Sequence, residues 1–434
     1  MRKCAFFLIS VTALLSADPS TAQQTSANPS VTYLMQRYDL SRSEAETRIA
    51  VQGDVIALSE RLNAEGDPQY GDMFIQHEPQ FKIVILFADR SDRKAFLDGL
   101  DPKLRRYVQL KQAKKSRGAF ARELEELAAA LNASRIPFTA KYDLETERYV
   151  ITVAGENDVA RIRAILPETR KVETDIVVAP LPRVQAAPTG VQTGDRLYAG
   201  NPLFVSTLPS GTTDATIRQN DLADCTLGFA VAYTKNNVAK RGILTSGHCP
   251  DSMRVKFGDR YVTLSGPDEE KRNRDPAYGG DGVSDKWDYQ IFDVTGVLVD
   301  NQIAYFDENN IPEFPASGIH RLTAITGYYN QKRGMVVCKS GGNTGITCGT
   351  ISNGALTYDG ALGWIEVNGT NQAVISVGGD SGSGWYLYPG SASTVTGVGV
   401  HTAGNAVPGP TGIAVYMPID YIDDQNSTVN TVKQ

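Results

Sequence analysis

Only four histidines occur in 434 residues, and one of them, His248, stands in the string Leu244-Thr245-Ser246-Gly247-His248-Cys249. Far downstream a serine stands among glycines, in Val377-Gly378-Gly379-Asp380-Ser381-Gly382-Ser383-Gly384. These are the residues whose type and setting could do chemistry. A serine hydroxyl is a weak nucleophile at neutral pH and becomes an effective one when an imidazole takes its proton. The four glycines in that eight-residue stretch let the backbone turn tightly, so that backbone N–H groups can converge beside the hydroxyl and hold an oxyanion. The imidazole in turn needs a carboxylate to fix its tautomer. Asp285, Asp288 and Asp293, in Ser284-Asp285-Lys286-Trp287-Asp288-Tyr289-Gln290-Ile291-Phe292-Asp293, are the candidates between histidine and serine. Asp285 precedes the apolar run beside Lys286, and Asp293 ends it.

Together these strings resemble the chymotrypsin-like serine peptidases, whose histidine lies in T-A-G-H-C and whose serine lies in G-D-S-G-G, in the order histidine, aspartate, serine. A third segment, Val337-Cys338-Lys339-Ser340-Gly341-Gly342-Asn343-Thr344-Gly345-Ile346-Thr347-Cys348-Gly349, is similar to the branch containing α-lytic protease and the streptogrisins. The resemblance covers residues 195 to 425. It implies an all-β catalytic domain of two six-stranded antiparallel β-barrels with the site between them. It also implies His248, Asp288 and Ser381 as the catalytic residues, because Asp288-Tyr289-Gln290-Ile291-Phe292 matches the family's N-D-Y-G-I-V string. The implied oxyanion donors are Gly379 and Ser381, and the implied disulfides are Cys225 with Cys249 and Cys338 with Cys348.

Ile375, six residues before the serine (381 − 6 = 375), falls at the family's pocket base, and Thr402, Ala403 and Gly404 align with its substrate-binding strand. With no carboxylate at 375, an uncharged, apolar substrate side chain is expected. Asp380 is read as structural, paired in the family either with a new N-terminal amine or, in this branch, with a buried arginine. His320 and His401 are read as packing residues. Two positions depart from the pattern. Ser246 replaces a small alanine, and Ser383 replaces a glycine, which would cost about 1 kcal/mol or more if that position needs positive φ.

The rest of the chain must position these groups. Arg2 and Lys3, an apolar run from Ala5 to Leu15, and small residues ending at Ala17 or Ala22 read as a secretory signal peptide over residues 1–22. The run is too short for a membrane anchor. Removing it removes Cys4 and leaves four cysteines, an even set suited to an oxidising compartment and lacking the C-x₂₋₄-C spacing of a zinc site. Residues 1–200 hold 53 charged residues and 9 glycines, and residues 201–434 hold 39 and 31. The first composition suits a helical or mixed region and the second a β domain with glycine turns. Ala179-Pro180-Leu181-Pro182 and Ala186-Ala187-Pro188-Thr189-Gly190 read as an exposed, cleavable link.

The expected organisation is therefore a signal peptide (1–22), an α+β pro region (23–185), a linker with a processing site (186–200) and the peptidase domain (201–434). In the pro region, Ser41 and Glu44 suggest a capping box opening a helix to about Asn63. A buried strand at 81–87, helices at 103–115 and 119–133, and a strand, helix, strand series at 148–154, 158–166 and 171–179 follow. Its one histidine, His77, has no catalytic setting. Short alternating strands fill the second half, with a closing helix near 419–424.

These readings converge on a secreted, monomeric serine endopeptidase made as a self-processing precursor, acting on peptide or protein substrates, with its own pro region as folding aid and inhibitor. The other reading is a catalytically silent binding protein on the same fold. A lipase-like hydrolase is excluded by Ser383, which breaks G-x-S-x-G, and by the position of His248 before the serine. No cofactor, metal or membrane is implied, and the basic runs are too short for nucleic acid.

Overall fold

The computed structural model describes residues 28–183, 197–199, 202–205, 224–257, 260–272, 286–294, 299–303, 305–306, 312–313, 320–369, 374–390, 394–409, 411–425 and 430–431. The expected signal peptide, nearly all of the expected linker, and Asp285 lie outside these residues.

Local sequence accounts for the first elements. Ser41 caps the helix Arg42–Glu65 by accepting a hydrogen bond from the Glu44 N–H, and Gly66, at φ 64°, lets the chain leave it. Ala45, Ile49, Val55, Leu58 and Leu62 line its buried face at helical spacing. A preceding helix, Pro29–Tyr38, was not legible in the sequence. Strand Tyr70–Gln76 runs antiparallel to Lys82–Phe87, which pairs in parallel with Val108–Gln112. The helix expected over 103–115 is therefore only Pro102–Arg105. Val108 and Leu110 instead enter the ladder beside Ile83 and Ile85, whose fully buried strand offers better partners than a solvated helix would.

A second unit packs the helix Arg117–Asn132 on strands Phe138–Asp143, Arg148–Val153 and Thr174–Val178. Phe120, Leu124, Leu127 and Leu131 meet Tyr149 and Ile151 in its core. The connecting helix is Glu156–Ile165, as the sequence suggested within two residues.

Apart from the short helices Tyr328–Asn330 and Asp420–Gln425, the regular elements described in the second half are strands. One sheet has the order Glu269–Arg272, Asp288–Asp293, Val238–Thr245, Ala230–Lys235, Asn430–Thr431. A larger sheet runs through Gly345–Tyr358, Val336–Gly341, Gly384–Leu387 and Thr394–Gly404. The N-terminal region joins this larger sheet directly, because Thr139 and Ala140 pair antiparallel with Tyr358 and Thr357. Its helices also share the core: Val31 and Leu34 cluster with Val336, Cys338 and Val400, while Val55 and Leu58 cluster with Val337, Ile351 and Trp385. Cys225–Cys249 and Cys338–Cys348 are both bonded. No helix among the described residues is long and apolar enough to cross a membrane.

Candidate active site

Pairing of two strands brings the histidine to a carboxylate. Val238–Thr245 runs antiparallel to Asp288–Asp293, with Thr245 opposite Gln290, so the residues just past Thr245 reach the first residue of the partner strand. Gly247 permits the final approach, since a Cβ there would lie 2.4 Å from the Lys271 carbonyl oxygen and 2.9 Å from the Tyr289 nitrogen. His248 Nδ1 then lies 2.9 Å from Asp288 Oδ2 and 3.1 Å from Oδ1, and the His248 backbone N–H donates to Oδ1 at 2.9 Å. A carboxylate can only accept here, so Nδ1 carries the proton and Nε2 is left basic. That nitrogen is buried and has no hydrogen-bond partner among the described residues.

Asp288 is 4% exposed. Burial alone would raise its carboxyl group, but the charge and hydrogen bond of His248 more than offset this and hold it below its ordinary value of 3.8. Thr402 adds to the same bias from close by, without a hydrogen bond of normal geometry from its hydroxyl. Asp293 stands at the far end of the strand, exposed and paired with Lys240 at 2.8 Å. It takes no part in holding His248.

The serine loop is pressed onto the end of the same strand. The Gly382 N–H and the Ser246 hydroxyl both donate to the His401 carbonyl, at 2.8 and 2.6 Å. The Thr226 N–H donates to the Ser381 carbonyl at 2.7 Å. Gly379 and Gly382 take φ of 85° and 90°, and a Cβ on Gly382 would lie 1.9 Å from Thr245 Oγ1. The N–H groups of Asp380, Gly382 and Ser383 are spent on Val377, His401 and Asp380 carbonyls. Those of Gly379 and Ser381, the two amides singled out in the sequence, donate to none of the described residues.

No family model matches this chain, and no curated protein matches it. Solved structures do match. Thermobifida fusca protease A is 20% identical, with a TM-score of 0.35, over 56% of this chain and all of that one. Cellulomonas bogoriensis chymotrypsin is 20% identical, with a TM-score of 0.35, over 55% of this chain and all of that one. An α-lytic protease homolog, N4, is 16% identical, with a TM-score of 0.33, over 54% of this chain and 97% of that one. This chain is similar to chymotrypsin-like serine proteases of the α-lytic type. With identities below 25% and TM-scores below 0.5, the functional reading rests on the site's own geometry.

The Asp380 partner, left open by the sequence between an amine and an arginine, is Lys339. Its Nζ lies 2.7 Å from Asp380 Oδ2, and both side chains are fully buried. The N–H groups of Asn343, Thr344 and Val377 and the Thr344 hydroxyl also point at this carboxylate. Gly341 leaves room for the pair, since a Cβ there would lie 2.3 Å from Asp380 Oδ1. Burial pushes the Lys339 ammonium below its ordinary value against the pull of Asp380. Lys339→Met is expected to cost about 3–5 kcal/mol of stability, because it strands a buried carboxylate. Urea unfolding of variant and parent checks this, and a loss below about 1 kcal/mol would contradict it.

Ser383 is not among the residues with positive φ, so the strain feared at this position does not arise. Its N–H bonds the Asp380 carbonyl at 3.0 Å and its carbonyl accepts from the His401 N–H at 2.9 Å. His401 is 2% exposed and accepts from Trp385 Nε1 at 3.4 Å; burial first, then the nearby charges of Lys339 and His248, hold it neutral. His320 opens the strand His320–Ile325. Ile375 packs in the core with Val337, Ile351 and Tyr416, while the next residue, Ser376, is close enough that a Cβ on Gly404 would lie 2.0 Å from its Oγ. Gly404 pairs antiparallel with Arg183: the Arg183 N–H donates to the Gly404 carbonyl at 2.9 Å, and the Gly404 N–H to the Arg183 carbonyl at 3.1 Å.

Proposed function

We propose that this chain is a serine endopeptidase made as a secreted precursor, with residues 201–434 as a two-barrel catalytic domain. The observation that carries the reading is the state of His248: Nδ1 is tied to Asp288, and Nε2 is buried and unpartnered, at the strand end onto which the Ser381 loop packs. In this reading Ser381 attacks the peptide carbonyl while His248 takes its proton. The tetrahedral oxyanion is held by the Gly379 and Ser381 N–H groups, and His248 returns the proton to the leaving amine, giving an acyl-enzyme that water hydrolyses by the same route. Asp288 stabilises the imidazolium. The substrate pairs along Thr402, Ala403 and Gly404 and presents an uncharged side chain beside Ser376, with Ile375 packed in the core behind it. The silent alternative had Ser383 as its ground, and Ser383 is unstrained.

Residues 23–185 are proposed as a folding aid and inhibitor. The Arg183–Gly404 pairing supports the inhibitory part, because backbone bridged to Gly404 occupies the edge a substrate would use. The extensive shared core supports the folding part. An aryl phosphonofluoridate should label the mature protein once per chain, at Ser381, and residues 23–185 added as a separate chain should block that labelling. Labelling elsewhere, or none, would overturn the enzymatic reading. Undiminished labelling with excess added chain would overturn the inhibitory one.

A further inference from the structure

The N-terminal region holds one histidine that the proposed chemistry does not use. His77 follows the strand Tyr70–Gln76 and is 7% exposed. Its Nε2 lies 2.7 Å from the carbonyl oxygen of Gly334, on the opposite side of the contact between the N-terminal region and the peptidase body. A carbonyl only accepts, so Nε2 carries the proton and Nδ1 carries none. Nδ1 is buried and has no partner among the described residues.

The segment that His77 holds is at a close backbone approach of the two regions. Gly334 has φ 86°, and a Cβ there would lie 2.0 Å from the Ile75 carbonyl oxygen. The Ile75 N–H donates to the Arg333 carbonyl at 2.8 Å, and Lys332 pairs with Asp72 at 2.6 Å. Around the ring stand Tyr33, Arg37 and Tyr38 of the helix Pro29–Tyr38, with Tyr38 stacked on it at 4.7 Å. Arg48 of the following helix donates to the His77 carbonyl at 2.9 Å and pairs with Glu44. Glu78 is the next residue, and Arg333, paired with Glu145, faces from across the contact.

We propose that His77 is an acid-sensitive latch: a proton on Nδ1 breaks the contact between the N-terminal region and the peptidase body. A second ring proton would place an N–H without a partner among the described residues, and a full charge, at a buried position already flanked by arginines. Burial first, and then Arg48 and Arg37, push the imidazole down to about 4 from 6.5, against the Gly334 hydrogen bond. For a group that must be neutral when the contact is closed, the contribution is complete above about 6.5 and is lost as the pH falls toward 4. At pH 5 the opened state gains on the order of 30-fold from this group alone. That acid thereby frees the active site rests on the inhibitory role proposed above. The latch itself rests on the contact alone.

The test uses the full-length Ser381→Ala chain, so that no turnover is involved and failure of the peptidase reading leaves the result intact. Hydrogen exchange is followed at the Ile75 and Val336 amides, which bond across the contact to the Arg333 carbonyl and to Gln52. Corrected for intrinsic rates, protection should fall roughly 30-fold between pH 7.5 and 5. His77→Gln keeps a donor for the Gly334 carbonyl and cannot be charged, so it should hold its protection over that range. Equal loss in both chains would overturn the proposal. The His77 ring is also titrated by NMR in the parent chain, which decides the matter if the variant does not fold: a value near 4 supports the latch, and one near 6.5 overturns it.

Discussion

Ser381→Ala is expected to reduce peptide hydrolysis by more than 10³-fold, toward the 10⁶-fold typical of removing a nucleophile that acts as a unit with its base. The fold should survive, because the loop is held by its backbone and by Asp380 and not by the serine hydroxyl. The Ser381 carbonyl accepts from Thr226, Gly382 donates to His401, and Ser383 donates to Asp380. Removing one oxygen at a position without a structural hydrogen bond among the described residues should change stability by less than about 1 kcal/mol. Peptide hydrolysis and urea unfolding are measured on the same preparation. Activity within tenfold of the parent would show that Ser381 is not the nucleophile, and a collapsed fold would show that its hydroxyl is structural.

What was legible in the sequence were the features that require particular side chains in particular places. A tight glycine turn beside a hydroxyl, a histidine one residue from a disulfide cysteine, and an aspartate opening an apolar strand each leave a local string. The capped helix at Arg42–Glu65 was legible for the same reason, through Ser41 and Glu44. What was not legible depends on distant partners. Val108–Gln112 has no strong pattern of its own and becomes a strand only beside Lys82–Phe87. Phe138–Asp143 gains its place by continuing the sheet of Gly345–Tyr358, more than 200 residues on. Lys339 reads as one lysine among many until the fold buries it against Asp380. The strain anticipated at Ser383 was misplaced by one residue, since Gly382 takes the positive φ that the turn needs. Ile375 was expected at the pocket base by counting back from the serine, and the fold directs its side chain into the core while Ser376 approaches Gly404.

Asp288→Asn should be nearly as severe as loss of the nucleophile, at about 10⁴-fold in turnover, and for a different reason. An asparagine keeps the shape and can still accept the His248 backbone N–H, which bonds Oδ1 at 2.9 Å. Its amide nitrogen, turned toward Nδ1, can only donate. The imidazole then moves its proton to Nε2, the atom that must be free to receive one from the serine. Asp293→Asn should have little effect on turnover, because that residue is exposed and paired with Lys240. Stability provides an independent readout. The Asp288 carboxyl lies below 3.8 in the folded chain, so its contribution is present above that value and is lost as the pH falls through the lowered one. Acid unfolding of the parent should therefore include a component that Asp288→Asn lacks. A mild effect at Asp288 together with a severe one for Asp285→Asn would identify Asp285 as the orienting carboxylate and overturn the assignment.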